Sequence, residues 1–247
     1  NYAFYFGATP DNADELADLK DLEGCCGIKL FAGSSTGNLL VQYDKDIEKV
    51  FKSSSKVVSV HSEDEAILNI NKKLIKKVKD SFLNQFKKKP ILVFSPGRIN
   101  LIGEHTDYNE GFVFPAAINK GIIAGVQKSD STFCKAIALN KSDSYEFKLN
   151  NLKSLKNGGW KNYILGVVFE IRKLDLKLGN FNLVFAGDIP EGAGMSSSAA
   201  LENSIVFALN EVFNLGLSKS KMIIISQKAE HNYVGVKCGI MDQYSSM

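Results

Sequence analysis

Cysteine is scarce in this chain, with four residues in 247, and their placement excludes a disulfide framework: Cys25 and Cys26 are adjacent, while Cys134 and Cys238 stand alone. No Cys-x-x-Cys or His-x-x-x-His spacing occurs, which argues against a structural zinc site. A reducing, cytoplasmic setting is the expectation. No stretch approaches the ~20 apolar residues that a membrane-spanning helix needs. The first residues, Asn1 to Phe6, lack a basic segment ahead of an apolar one, so no secretory signal is read. They also lack an initiator Met, and a fragment is expected at that end. Internal repeats and low-complexity tracts are missing too. What is present is 45% hydrophobic and 23% charged residues, which suits a soluble globular chain and excludes disorder, collagen and coiled coil. The length allows one large domain or two modest ones.

Neither sign of charge dominates, with 30 Lys and Arg against 27 Asp and Glu, but the distribution is uneven. Residues 1–69 carry 12 acidic and 6 basic side chains, all six of them Lys, and residues 70–247 carry 15 acidic and 24 basic ones. A basic excess suits nucleic acid or small phosphorylated ligands. The aromatics follow strand and helix periods without the interleaved basic pattern of a base-stacking surface, so no nucleic-acid partner is expected.

Three strand–helix steps are read over residues 4–62: a strand at Phe4–Thr9, a helix at Asp11–Leu19 opened by Asp11, a strand at Gly27–Phe31, a helix at Asp44–Phe51 and a strand at Val57–His61. Such alternation suggests a parallel sheet or barrel, and three strands are too few to close a barrel. Ile67, Ile70, Leu74, Ile75, Val78, Phe82 and Phe86 then recur at helical spacing over 66–88, opposite a lysine face read as solvated surface, and Pro90 ends the pattern. Short β segments come next at Ile91–Phe94, Phe112–Ala116, Ile122–Gln127, Phe133–Leu139 and Tyr145–Leu149. Trp160–Leu174 reads as a helix, Phe181–Ala186 as a strand, and Ser197–Phe213 and Ser218–Tyr233 as helices. A β-rich then α-rich order argues for an α+β fold after residue 70.

Three polar clusters stand out. Gly187 to Ala200 lies between a strand and a helix; Gly192 and Gly194 permit positive φ, and Ser196, Ser197 and Ser198 put hydroxyls and free N–H groups at a helix N-terminus, where an anion is favoured. No Gly-Lys-Ser/Thr is present there, so it is not a Walker A loop. The plain alternative is a glycine turn with a serine N-cap. Ser95 to Tyr108 gathers Arg98, Asn100, Glu104, His105 and Asp107 on a loop, a set able to hydrogen-bond a polyhydroxylated ligand. The alternative is a solvated loop in which Arg98 pairs with Glu104. The third cluster places Glu230 twelve residues before Asp242, which comes after the run Cys238-Gly239-Ile240-Met241, and two such carboxylates could divide between a metal and a substrate hydroxyl.

Pro96-Gly-Arg-Ile-Asn-Leu-Ile-Gly-Glu-His-Thr-Asp-Tyr-Asn109, Pro190–Ala200 and Cys238-Gly-Ile-Met-Asp-Gln243 together closely resemble the three N-terminal motifs of galactokinases, within the GHMP sugar kinase superfamily, from about Asn71 to Met247. The resemblance implies a GHMP N-terminal domain of the ribosomal S5 domain 2-like type, with ATP and Mg²⁺ as cofactors and galactose as substrate. It casts Asp242 as the catalytic aspartate facing the sugar 1-hydroxyl, and Arg98 as the group that stabilises the transferring phosphoryl and holds Asp242 ionised. Glu104, His105, Asp107 and the backbone at Gly239 would join these two in binding galactose. Pro190, Gly192, Ala193, Gly194, Met195, Ser196, Ser197 and Ser198 would wrap the ATP phosphates, Trp160 would lie toward the base, and Ser198 and Glu230 would hold Mg²⁺. Phosphoryl transfer depends chiefly on positioning and charge neutralisation, which such a set supplies. Galactokinases continue beyond the position of Met247 into a second GHMP domain, which is expected to be missing here.

Residues 1–69 precede the point where galactokinases begin. Phe6-Gly-Ala-Thr-Pro-Asp-Asn12, Cys26–Val41 and Val60-His-Ser-Glu-Asp-Glu65 are similar to strand ends of dihydroorotases, metal-dependent amidohydrolases with a TIM barrel. That resemblance implies Lys29 at the carbamylated, metal-bridging position and His61 as a metal ligand, with zinc bound only if this part were functional. The plain readings are a lysine on a strand face and a lone strand-end histidine. With three histidines in the chain, two of them in the kinase-like part, an amidohydrolase site cannot be completed. The chain is therefore expected to be a chimera joined near residues 68–71: a dihydroorotase-like fragment over 1–69 and a galactokinase-like domain over 70–247. The functional expectation is a galactokinase-type kinase in incomplete form, with a cyclic amidohydrolase fragment or a catalytically silent chimera as alternatives.

Overall fold

The computed structural model describes residues 3–32, 39–41, 43–61, 65–103, 106–109, 111–190 and 192–247, with the side chains of residues 61 and 65–70 outside that description. The chain divides into two compact units, Asn1–Lys72 and Lys73–Met247.

In the first unit, β1 (Phe4–Gly7), β2 (Cys25–Phe31) and β3 (Val58–His61) form a three-stranded sheet in chain order, with both pairings parallel. Parallel order is what successive strand–helix steps produce, and α1 (Asp44–Ser53) supplies the second connection. The first connection differs from expectation: a 3₁₀ helix spans Ala13–Asp21. Its start is set by Asn12 rather than Asp11. Asn12 Oδ1 accepts from the Thr9 N–H at 2.7 Å, and Asn12 Nδ2 donates to the Gly7 carbonyl at 3.0 Å. The buried residues of this helix, Ala13, Leu16 and Leu19, recur every three positions. Side chains three apart eclipse in a 3₁₀ helix, so a strict period of three directs one buried line that an α-helix would rotate away. Ala8, Ile28, Leu30, Val41 and Val50 complete the core of this unit.

The second unit is built on β4 (Ile91–Asn100), β5 (Pro115–Lys128), β6 (Cys134–Ala138), β7 (Asp143–Phe147) and β8 (Phe181–Gly187), in the order β4-β5-β8-β6-β7, with only β6–β8 parallel. The pleat divides the buried residues between two faces. Ile122, Ala124, Val126, Leu183 and Phe185 join the large cluster formed with α3 (Trp160–Arg172), α4 (Ser197–Phe213) and α5 (Lys219–Ala229). Ile123, Val184 and Ala186 face the other way, against Val78 and Phe82 of α2 (Glu65–Phe86). The stripe Leu201, Ile205, Leu209 and Val212 expected on α4 is buried.

Three expectations are corrected. The segments read as separate strands at 112–116 and 122–127 join in one 14-residue strand, β5, which starts at Pro115 and leaves Phe112, Val113 and Phe114 outside it. Gly121 in its middle serves close approach: a Cβ there would lie 2.4 Å from the Phe94 ring and 2.5 Å from the Ser95 carbonyl oxygen. Arg98 and Asn100, placed on a loop by their sequence, lie on β4, which continues through a register shift between Pro96 and Arg98. The helix read over 218–233 ends as α at Ala229 and continues as a π-helical turn, Glu230–Val234; a short helix, α6 (Met241–Ser245), lies beyond it.

Candidate active site

The site begins with the seating of a strand on a loop. A Cβ at Gly97 would come within 2.7 Å of the Met195 carbonyl oxygen, so glycine lets β4 lie directly against the segment before α4. Arg98, one residue on, donates its backbone N–H to that carbonyl at 3.2 Å. Its side chain is 11% exposed and its donors are committed in two directions. One Nη donates to the Gly194 carbonyl at 2.5 Å, while Nε and the other Nη reach Asp242 Oδ1 at 2.8 and 2.7 Å. A planar guanidinium with fixed donor directions is suited to tie a loop and a carboxylate into one geometry.

Gly192, Gly194 and Ser196 have φ of 71°, 64° and 55°, three left-handed residues at alternate positions. Left-handed residues interspersed along a turn direct successive N–H groups into one concavity, and the N-terminus of α4 adds its dipole. Ser196 is not the side-chain cap its position suggested: it makes no capping bond, and its buried hydroxyl has no partner among the described residues. Pro190, the run Gly192–Ser198, Arg98 and Asp242 line one cavity of about 250 Å³. A second cavity of about 340 Å³ shares Gly192, Ser197 and Ser198 with it and is walled by Trp160, Tyr163, Phe185 and Ile189. One cavity is polar and ringed by donors; its neighbour is largely aromatic and aliphatic.

Glu230, first residue of the π-helical turn, is buried and accepts from the Ser198 hydroxyl and from Gln243 Nε2, the latter at 3.0 Å. Burial pushes its pKa up, and the Ser198 hydrogen bond opposes this in part. The turn that carries it is anchored on both sides. Asn232 Nδ2 donates to the buried Glu170 at 2.8 Å, and the Tyr233 hydroxyl donates to the Leu152 carbonyl. A π turn adds one residue and thereby re-aims the side chains beyond it, a device common at functional sites. Glu202, four residues beyond Ser198 on the same face of α4, is fully buried, with the Gln243 amide as its hydrogen-bonding neighbour. Burial, then the neighbouring Glu230, pushes its pKa well above the usual glutamate range.

Asp107 lies on a 3₁₀ turn, Asp107–Asn109, and its carboxylate presses on the backbone of Gly239: a Cβ at Gly239 would sit 1.8 Å from Oδ2. This contact explains glycine between Cys238 and Ile240. Glu104 and His105 lie outside the described residues. Lys29 sits on β2 with Nζ 5.3 Å from the Phe31 ring centroid, and His61 closes β3 with its side chain outside the description. Among the described residues, no three His, Cys, Asp or Glu cluster as metal ligands. Ser198 and Glu230 offer hard oxygen donors of the type magnesium takes, in company with waters and substrate phosphates.

Two structural features beside the candidate site escape sequence reasoning. Glu202 has a signal, a charged residue at i+4 from Ser198 inside an otherwise apolar stripe. Asp143, which accepts from the Trp160 indole at 3.2 Å, has none, because 17 residues separate them.

Comparison with known proteins bears on the second unit. Residues 80–128 match the galactokinase galactose-binding signature and residues 162–247 match the GHMP kinases N terminal domain. Galactokinase of Clostridium perfringens (strain 13 / Type A) is 44% identical over 172 residues, covering 68% of this chain and 44% of the relative. That of Thermosipho africanus is 47% identical over 154 residues, covering 62% of this chain and 42% of the relative. The crystal structure of Lactococcus lactis galactokinase complexed with galactose superposes with a TM-score of 0.65 at 35% identity, over 69% of this chain and 45% of that one. The chain thus spans a little under half the length of these relatives. The α+β architecture of the second unit is that of a GHMP-kinase N-terminal domain.

Proposed function

We propose that residues 70–247 are the ATP- and sugar-binding N-terminal portion of a galactokinase, which transfers the γ-phosphoryl group of ATP to the 1-hydroxyl of galactose. The observation that carries this reading is the Arg98–Asp242 pair held against the Gly192–Ser198 loop in one cavity. In this reading the loop amides and the α4 N-terminus receive the phosphates. Asp242 accepts the proton of the sugar hydroxyl, or anchors it, while Arg98 orients Asp242 and stabilises charge on the phosphoryl group in flight. Ser198 and Glu230 would hold Mg²⁺, which when bound neutralises phosphate charge. Asp107 packed on Gly239, together with Glu104 and His105, would read the sugar hydroxyls. The signature matched over 80–128 and the galactose in the Lactococcus complex favour galactose as that sugar.

The test is calorimetric titration of the chain with ATP·Mg²⁺ and with galactose, then a measurement of galactose-dependent ADP release. Both ligands should bind, and Asp107→Ala should weaken galactose far more than ATP. Asp242→Ala should lower ADP release by about a thousandfold or more while leaving ATP affinity within a few-fold. Failure of both ligands to bind would overturn the reading; full turnover by Asp242→Ala would overturn the role of that carboxylate; equal binding of glucose would overturn the sugar assignment.

A further inference from the structure

Trp160 is the one tryptophan of the chain, and its indole is held by an ion pair on one edge and by a core aromatic ring. Its Nε1–H donates to Asp143 Oδ2 at 3.2 Å. Lys161 Nζ reaches the same oxygen at 3.0 Å, and it lies 5.6 Å from the Trp160 ring and 5.6 Å from the Tyr145 ring. Phe185 meets the indole edge-on, with centroids 5.4 Å apart and planes at 63°. The backbone beneath is fixed as well. Gly159 takes φ 53° ahead of α3, and Asn162 clamps Leu155 by two bonds of 2.9 Å, from the Leu155 N–H and to its carbonyl. The indole so held forms a wall of the 340 Å³ cavity that joins the phosphate-type loop at Gly192, Ser197 and Ser198.

We infer that Asp143, through Trp160, is a positioning residue for the nucleobase: the carboxylate fixes the indole plane, and Lys161 holds the carboxylate, so that the cavity presents a preset aromatic face to the base of a nucleoside triphosphate. Indole has two faces and one donor, so a single hydrogen bond at Nε1 selects one ring orientation. Preset orientation removes an ordering cost from binding. A tie serving only to join β7 to α3 would stabilise the fold without favouring any part of the ligand. This inference rests on the reading of the adjoining cavities as a nucleotide site.

The discriminating ligand is one without a base. Asp143→Asn keeps the shape and removes the acceptor charge; it should weaken ATP·Mg²⁺ by about five- to tenfold. Affinity for tripolyphosphate, which meets only the loop, should stay within about twofold of wild type. In a Trp160→Phe background, Asp143→Asn should change ATP affinity no further. The single indole N–H resonance in the proton NMR spectrum reports the hydrogen bond without any ligand and should shift in Asp143→Asn. An unmoved resonance, unchanged ATP affinity, or equal losses for ATP and tripolyphosphate would each overturn the inference. If wild type binds tripolyphosphate and not ATP, the nucleotide reading falls and the inference with it. Wild type binding ATP while Asp143→Asn binds it equally well removes the inference alone.

Discussion

The two units of the chain handle polarity in opposite ways. Every residue of the first unit described as buried is apolar, cysteine or glycine, whereas the second unit buries Arg98, Glu170, Glu202 and Glu230 together with several amides and hydroxyls. Burying a charged or unpaired polar group costs more than burying an apolar one contributes. The first unit is therefore what spacing of apolar residues alone produces. The second accepts that cost, and most of its buried polar groups converge where α4, α6 and the π-helical turn meet. The difference teaches where to look for chemistry: in the groups a core would be more stable without.

The largest expected effect comes from disturbing each core separately. Leu16 and Leu209 are both fully buried, one in each unit. Truncation to alanine should cost about 2–5 kcal/mol in either place. Leu16→Ala should lower the urea midpoint of the first unit and leave ATP affinity intact; Leu209→Ala, on the helix whose N-terminus faces the loop, should destabilise the second unit. Loss of ATP binding in Leu16→Ala would break the comparison, because the two cores would then not act independently.

Much of this contrast is legible in the sequence, and its limits come from what a one-dimensional pattern records. The α4 stripe from Leu201 to Val212 and the glycine–serine loop ahead of it are local, and spacing alone places them. The 3₁₀ helix at 13–21 reads as α because a short apolar line at Ala13, Leu16 and Leu19 satisfies two helical periods, and only the Thr9–Asn12 bonds decide between them. Arg98 reads as a loop residue since polar residues crowd around it. Its strand is held by Gly97 against Met195, about a hundred residues away in sequence, and no local signal carries that pairing. The π turn at Glu230 depends likewise on distant anchors, Glu170 and Leu152.

A smaller effect sharpens the comparison through pH. The folded state holds Glu202 protonated well above the usual glutamate pKa of 4.5, chiefly through burial. Above that value the unfolded chain ionises this carboxyl while the folded one retains its proton. The stability it contributes is full below the unfolded pKa and is lost as pH rises toward the folded one, by up to about 1.4 kcal/mol per pH unit. Glu230 is shifted in the same direction, so part of the slope has a second source. Glu202→Gln should therefore flatten the fall in stability as pH rises above the unfolded glutamate value, and its advantage over wild type should grow with pH. Urea denaturation across that range measures it. Parallel curves for wild type and variant would mean that Glu202 is charged in the fold, against its burial and the neighbouring Glu230.

The smallest effect concerns a single backbone angle. Ser196 occupies the left-handed region with φ 55° and ψ 46°, and its buried hydroxyl has no partner among the described residues. A residue with a Cβ is strained there by about 1 kcal/mol, and an unpaired buried hydroxyl adds to the cost. Glycine relieves both, although the unfolded chain then gains freedom that offsets about half of the benefit. Ser196→Gly should raise stability by up to about 1 kcal/mol. If the loop is the phosphate site, the same change should weaken ATP, because glycine frees the left-handed turn that aims the loop N–H groups at the phosphates. A gain in stability with unchanged ATP affinity would leave the strain real and unconnected with the ligand. A gain coupled to weaker ATP binding would make Ser196 the point at which the second unit gives up stability for recognition, a trade for which the apolar core of the first unit has no counterpart.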